Sequence, residues 1–99
     1  YAASKGAILS YAKVLGLELA SRQIRVNSIC PAMVWTDLTR KDETKTGADY
    51  NEVQKSYPLQ RYGKPEDIAY LAVYLLSDTS VWMTGSAIDI TGGGELTLV

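Results

Sequence analysis

Two short runs of strand-forming residues, Ile24 to Cys30 and Ala87 to Thr91, stand on either side of a long stretch that contains a clear helical pattern. Strands separated by a helix do not close as a hairpin. They pair in parallel, through a crossover that is almost always right-handed. Pro31 ends the first run, because proline has no N–H with which to continue a ladder, and Gly92, Gly93 and Gly94 end the second. The pattern predicts an α/β fold in the order helix, strand, loop, helix, strand.

The first helix is predicted over Ala2 to Ala20, where Ile8, Tyr11, Ala12, Leu15 and Leu19 recur at three- and four-residue spacing. Ala7, Val14 and Leu17 widen the apolar surface beyond one stripe, so this helix is expected to pack against two partners, a sheet and another helix. Pro65, Glu66 and Asp67 suit the first turn of a second helix, whose expected buried face is Ile68, Leu71, Ala72, Leu75 and Leu76. From Thr36 to Gly63 the composition turns to Lys, Asp, Glu, Thr and Gln and the periodicity lapses. That stretch is expected to be a solvated loop with one or two helical turns around Asp49 to Ser56; so long a loop is often a binding loop or lid. Two strands are too few for an independent sheet, and the run from Ile24 would leave an apolar edge open. Neighbouring strands are therefore expected outside these 99 residues, and the isolated chain is expected to associate.

Composition narrows the chemistry. Ten Lys and Arg against eleven Asp and Glu give a net charge of −1, with no cationic excess to track a phosphate backbone, so neither nucleic acid nor an anionic membrane is an expected partner. The apolar stretch that ends at Leu76 is far shorter than the ~18 residues of a membrane-spanning helix, and a soluble protein is expected. Cys30 is the only cysteine and there is no histidine. An intrachain disulfide and a Cys/His metal centre are thereby excluded, no metal is expected, and a reducing, cytoplasmic setting fits. Acid–base chemistry is left to tyrosine, lysine and carboxylates.

Tyr1 and Lys5 are four residues apart, on one face of the first helix. A phenol ordinarily keeps its proton up to about pH 10. An ammonium one helical turn away favours the phenolate, so such a tyrosine could give a proton to a carbonyl oxygen or take one from an alcohol. Pairs of this kind also occur on many ordinary helices, and the surrounding residues decide how this one is read.

Tyr1-Ala2-Ala3-Ser4-Lys5-Gly6-Ala7 is followed by a helix and then by Arg25-Val26-Asn27-Ser28-Ile29-Cys30-Pro31. Val34-Trp35-Thr36, Arg61-Tyr62-Gly63-Lys64-Pro65-Glu66-Asp67-Ile68-Ala69, Leu76-Ser77-Asp78, Thr84-Gly85 and Gly92-Gly93 come next. In order and spacing these blocks closely resemble the second half of the short-chain dehydrogenase/reductase family, over essentially the whole chain. The resemblance implies the C-terminal part of a Rossmann-like, doubly wound parallel sheet, with residues 1–99 a C-terminal fragment of a single domain whose N-terminal half is missing. It also implies that Tyr1 is the catalytic acid/base and that Lys5 holds the nicotinamide ribose while supporting the tyrosine. Tyr1, Lys5, Pro31, Ala32, Val34 and Thr36 would contact NAD or NADP, the Val34 backbone meeting the carboxamide and Thr36 reaching toward the phosphates. Ala32 stands where the family commonly has glycine.

By the same resemblance the segment from Thr36 to Gly63 corresponds to the substrate lid, with Met33 and Trp35, and Leu38 beyond them, facing substrate. Glu95 to Val99 resembles a tail that packs across a subunit interface, which implies a homo-oligomer, dimer or tetramer. Ser4 is not the family's catalytic serine. In the family that serine and the glycine-rich phosphate turn precede the tyrosine. The activity implied is NAD(P)-dependent interconversion of a small-molecule carbonyl and a secondary alcohol. The look is closest to the branch that reduces 3-oxoacyl groups on acyl-carrier protein, with sugar or polyol dehydrogenases as an alternative. Enoyl reductases of the superfamily space the tyrosine and lysine more widely. From another class altogether comes a catalytically inert truncated product or helix-pairing assembly module, and the 99-residue chain alone is expected to be inactive.

Overall fold

Gln23 ends the first helix by adopting a left-handed backbone conformation, φ 61° and ψ 30°. Its N–H donates to the Ala20 carbonyl at 3.0 Å, and that of Ile24 donates to the Leu19 carbonyl at 3.3 Å. This pair of bonds is a Schellman exit, built here on glutamine where glycine is more usual. The computed structural model describes residues 1–46 and 50–94. Its elements are α1 (Ala2–Leu19), β1 (Ser28–Pro31), α2 (Asp37–Thr46), α3 (Tyr50–Lys55), α4 (Pro65–Leu76) and β2 (Ala87–Ile90), with short 3₁₀ turns at Ala20–Arg22 and Asp78–Ser80.

β1 and β2 pair as a two-stranded sheet. Ser28 N donates to Ser86 O and Ala32 N to Ile90 O, at one constant sequence offset, which makes the pair parallel as expected. Two boundaries differ from expectation. The ladder is shorter than Ile24 to Cys30, because Arg25 and Asn27 send their side chains to carbonyls and Val26 N is taken by the Thr84 hydroxyl. Pro31 lies inside the strand instead of after it. Ser28 and Ala32 are the residues whose amides face β2, so by alternation the missing N–H of Pro31 falls on the opposite edge, where it breaks no bond of this ladder.

The chain divides into two compact units, one formed by Tyr1–Cys30 with Leu71–Ile88, the other by Pro31–Tyr70 with the chain from Asp89 onward. In the first unit α1 comes closest to the rest at Gly16, where an added Cβ would stand 3.0 Å from the Gly85 nitrogen and the Thr84 hydroxyl. The face that α1 turns inward is Leu9, Ala12, Leu15, Gly16 and Leu19. Ile8 and Tyr11, expected on that face, are exposed, since the close approach at Gly16 sets the rotation of the helix. Leu76 is likewise exposed, while Ile68, Leu71, Ala72 and Leu75 of α4 are half-buried.

Polar bonds hold this unit where apolar burial is thin. The Arg25 guanidinium donates to the carbonyls of Leu75 (2.7 Å), Met83 (3.1 Å) and Ser77 (3.2 Å), so it satisfies the end of α4 and the approach to β2 together. Asn27 donates to Met83 O and accepts from Ser86 N, both at 3.1 Å. Ser80, 1% exposed, donates toward the carbonyls of Leu75 and Ser77.

In the second unit the stretch expected to be an open loop is largely helical. α2 was not visible as a helix because Asp37–Thr46 has a single large apolar residue, Leu38, and that side chain is 77% exposed. Local capping starts it instead: Thr36 N donates to Thr39 Oγ1 at 2.7 Å and Thr39 N to Thr36 Oγ1 at 3.4 Å. The turns expected around Asp49 to Ser56 are found as α3, except that Asp49 lies outside the described residues, as do Glu95 to Val99.

Arg25→Met removes three charge-assisted bonds, and with Asn27 and Ser80 still donating to the same carbonyls the loss should cost about 1–3 kcal/mol in denaturant unfolding. Arg25→Lys should recover only part of it, because the three carbonyls are served by two separate guanidinium nitrogens, whereas an ammonium carries all its donors on one nitrogen. A variant with an unchanged midpoint would show that the network carries no stability.

Candidate active site

Tyr1 occupies the N-cap of α1, and its side chain is 95% exposed. Its carbonyl accepts from Lys5 N at 3.0 Å and from the Ser4 hydroxyl at 2.8 Å, so the first turn is closed on Tyr1 from two sides. The four-residue spacing does what the sequence predicts: the Lys5 ammonium stands 5.5 Å from the centroid of the Tyr1 ring. Ser4 is spent on backbone capping.

The segment Pro31 to Thr36 belongs to the other unit and is held there by its own bonds. Ala32 N extends the ladder to Ile90 O at 3.3 Å. Gly63 then pairs with Val34 in a parallel bridge: Gly63 N donates to Met33 O at 3.0 Å, and Trp35 N donates to Gly63 O at 2.9 Å. Met33 O and Val34 N share one planar trans peptide and point in opposite directions. The Val34 N–H is therefore turned away from Gly63, and among the described residues it makes no hydrogen bond. The Val34 carbonyl accepts from Thr39 Oγ1 at 3.4 Å.

Aromatic rings back this segment. Trp35 stacks on Tyr62 with centroids 6.0 Å apart and planes 3° from parallel, and Tyr57 meets Tyr62 edge-on at 5.6 Å. Tyr62, 6% exposed, is the one large apolar side chain buried among the described residues. The same unit holds a cavity of about 190 Å³ bordered by Met33, Val34, Leu59, Arg61, Asp67 and Ile90.

Arg61 and Asp67 form a bidentate pair at 2.8 and 3.3 Å, and Asp67 also accepts from Lys64 N at 2.7 Å, which caps α4 at its N-terminus. The hydrogen bond from Arg61, followed by that from the Lys64 amide, holds the Asp67 carboxyl down to about 2 from its ordinary 3.8, and the Arg61 guanidinium is raised in turn. Among the described residues no group of His, Cys, Asp and Glu could hold a metal ion, and no helix is long and apolar enough to cross a membrane.

Residues 1–95 match the protein family described as "Enoyl-(Acyl carrier protein) reductase". Similar curated and solved proteins include a 3-oxoacyl-[acyl-carrier-protein] reductase FabG from Chlamydia trachomatis, 42% identical over 95 residues, which are 94% of this chain and 36% of that protein. A solved short-chain dehydrogenase family protein from Francisella tularensis is 43% identical with a TM-score of 0.83, covering 95% of this chain and 42% of that one. The chain belongs to the short-chain dehydrogenase/reductase family. A further solved structure, the ligand-free aldohexose dehydrogenase of Thermoplasma acidophilum, has a TM-score of 0.88 at 31% identity, over 99% of this chain and 41% of that chain. The chain thus spans well under half the length of these relatives, and with them it shares the α/β Rossmann architecture.

Within that architecture the described residues bring Tyr1 together with Lys5, and they hold Pro31, Ala32, Met33, Val34, Trp35 and Thr36 on one strand-to-helix connection. Sequence reasoning missed Thr39, Tyr57 and the Arg61–Asp67 pair. Thr36 and Thr39 at capping-box spacing, and the carboxylate three residues after Lys64, were signals for two of these; nothing in the pattern marked Tyr57.

A carboxyl whose folded pKa lies below its unfolded value stabilises the fold fully above the unfolded pKa, near 4, and loses that contribution as the pH falls toward about 2. Asp67→Asn should flatten the pH dependence of the unfolding midpoint between about pH 4 and 2, relative to wild type. Parallel curves for the two proteins over that interval would rule the linkage out.

Proposed function

We propose that this chain carries the proton-transfer group and the nicotinamide-end contacts of an NAD(P)-dependent oxidoreductase that interconverts a carbonyl and a secondary alcohol. The observation that carries the reading is the Lys5 ammonium 5.5 Å from the Tyr1 ring centroid, on a tyrosine left 95% exposed at a helix N-terminus. In the reductive direction the Tyr1 hydroxyl gives its proton to the substrate oxygen as charge builds there. In the oxidative direction the phenolate receives the alcohol proton. Lys5 supplies a positive charge near the ring whose hydroxyl must become an anion, and its ammonium has donors for ribose hydroxyls.

The residues present suit a nicotinamide dinucleotide. The Val34 N–H has no partner among the described residues and would meet the carboxamide. The Thr36 hydroxyl accepts from Thr39 N and lies 3.4 Å from the Thr39 hydroxyl, and its proton would turn from there to a phosphate oxygen. Pro31 supplies a rigid apolar surface at the strand end, and Ala32 continues it with its amide committed to the ladder. When bound, the nicotinamide supplies or accepts the hydride. Met33 and Trp35 face the substrate in this reading, Trp35 with one ring face already stacked on Tyr62.

The substrate that the relatives' names favour is a 3-oxoacyl thioester on acyl-carrier protein. A sugar or polyol is the second reading, supported by the aldohexose dehydrogenase at TM-score 0.88. The family description names an enoyl reductase, but the wider Tyr–Lys spacing that the resemblance implies for enoyl reductases disfavours that branch for Tyr1 and Lys5. A cytoplasmic homo-oligomer acting on a small molecule, without nucleic acid or membrane, completes the proposal, as does the assignment of residues 1–99 to the C-terminal part of one Rossmann domain.

In the full-length protein, Tyr1→Phe should lower turnover with a carbonyl substrate by about 10²-fold or more while leaving NAD(P)H affinity within about threefold. Normal turnover in that variant would place the acid elsewhere. Residues 1–99 alone should neither bind NADPH tightly nor oxidise it; saturable oxidation by a preparation of verified mass would overturn that part.

A further inference from the structure

The direction of the Val34 N–H is fixed by the two peptides that flank Met33, and each is held by a different neighbour. On the far side, Gly63 N grips the Met33 carbonyl at 3.0 Å, in the same peptide plane as Val34 N. On the near side, the Met33 amide donates to the Tyr57 hydroxyl at 3.4 Å. With both peptides held, rotation about the two soft dihedrals of Met33 is arrested, and with it the aim of the Val34 donor. Without the hydroxyl, only one of the two peptides stays anchored.

Tyr57 is itself gripped on three sides within this unit. Its backbone N–H donates to Gln54 O at 3.2 Å, just beyond the end of α3, and its ring meets the buried Tyr62 edge-on. Its ring edge also lies against Gly94, where an added Cβ would collide with the ring atoms. The hydroxyl therefore reaches Met33 from a ring that cannot swing away. Packing accounts for the ring, since phenylalanine would fill the same space, and what the oxygen adds is its bond from the Met33 amide.

We propose that Tyr57 is a positioning residue whose hydroxyl, by holding the Met33 amide, sets the Val34 N–H toward the carboxamide of a nicotinamide dinucleotide. The inference rests on the reading of Val34 given above. It separates the hydroxyl from the ring: the ring belongs to the fold, and the oxygen acts on the one ligand group that Val34 meets. Ligands that carry the carboxamide feel the loss of the oxygen, and ligands that end at the ribose do not.

The test uses the full-length protein and its Tyr57→Phe variant, with affinities measured for NADH and for ADP-ribose, or for NADPH and 2′-phospho-ADP-ribose if the wild type prefers NADP. In the variant the reduced dinucleotide should bind about three- to tenfold more weakly, while the ribose-terminated ligand stays within about twofold and the melting temperature falls by no more than a few degrees. An equal loss for both ligands would make Tyr57 merely structural, and no loss for either would make its hydroxyl idle; each overturns the proposal. The wild-type pair of affinities tests the underlying reading separately. If NAD(P)H binds no more tightly than the ribose-terminated ligand, Val34 does not engage the carboxamide, and the inference falls with that reading.

Discussion

Parallel pairing of Ser28–Pro31 with Ala87–Ile90 is the constraint from which the arrangement of this chain follows. It obliges the whole of α2, α3 and α4 to serve as the crossover, because a parallel strand can be reached only by returning to the starting end of the sheet. It also makes both strands end in the same direction. Pro31 to Thr36 and the Gly92–Gly94 turn therefore leave the sheet at their carboxyl ends, where open α/β sheets bind ligands. The Val34–Gly63 bridge prolongs the parallel arrangement past β1, and that prolongation turns one backbone amide outward.

Directional hydrogen bonds accompany thin hydrophobic burial among the described residues. Tyr62 is the only large apolar side chain buried among the described residues, while Tyr11, Leu17, Tyr70, Val73, Leu76 and Trp82 are exposed. An apolar surface of that extent is costly in water unless something covers it. Arg25, Asn27 and Ser80 in one unit, and the Thr36–Thr39 and Lys64–Asp67 caps in the other, supply directional bonds to carbonyls and amides that an apolar core would otherwise constrain. Two of these residues, Arg25 and Asn27, lie in the stretch that reads from its composition as plain strand.

The sequence was legible where periodicity and burial agree. α1, α4 and β2 could be read from spacing, and the Tyr1–Lys5 pair from the simple rule that residues four apart share a helix face. It was illegible where local polar bonds replaced burial. α2 has no apolar stripe to betray it, and its start is written in two threonines. The limits of β1 depend on which edge each amide faces, and no one-dimensional pattern contains that phase. The inward face of α1 was misread at Ile8 and Tyr11 because a glycine, Gly16, sets the rotation by admitting backbone close to it, and apolar counting gives glycine little weight.

Tyr57 belongs to the second kind and shows why such residues escape a reading by motif. Its neighbours in sequence are a serine and a proline, so it looks like a loop aromatic in a solvated stretch. Its meaning comes from contacts with Met33, Tyr62 and Gly94, none of which sequence spacing relates to it. In this chain the aim of the Val34 amide depends on Gly63, which lies inside a recognisable block, and on Tyr57, which lies inside none, so matching motifs accounts for one of its two supports and the three-dimensional contacts are needed for the other.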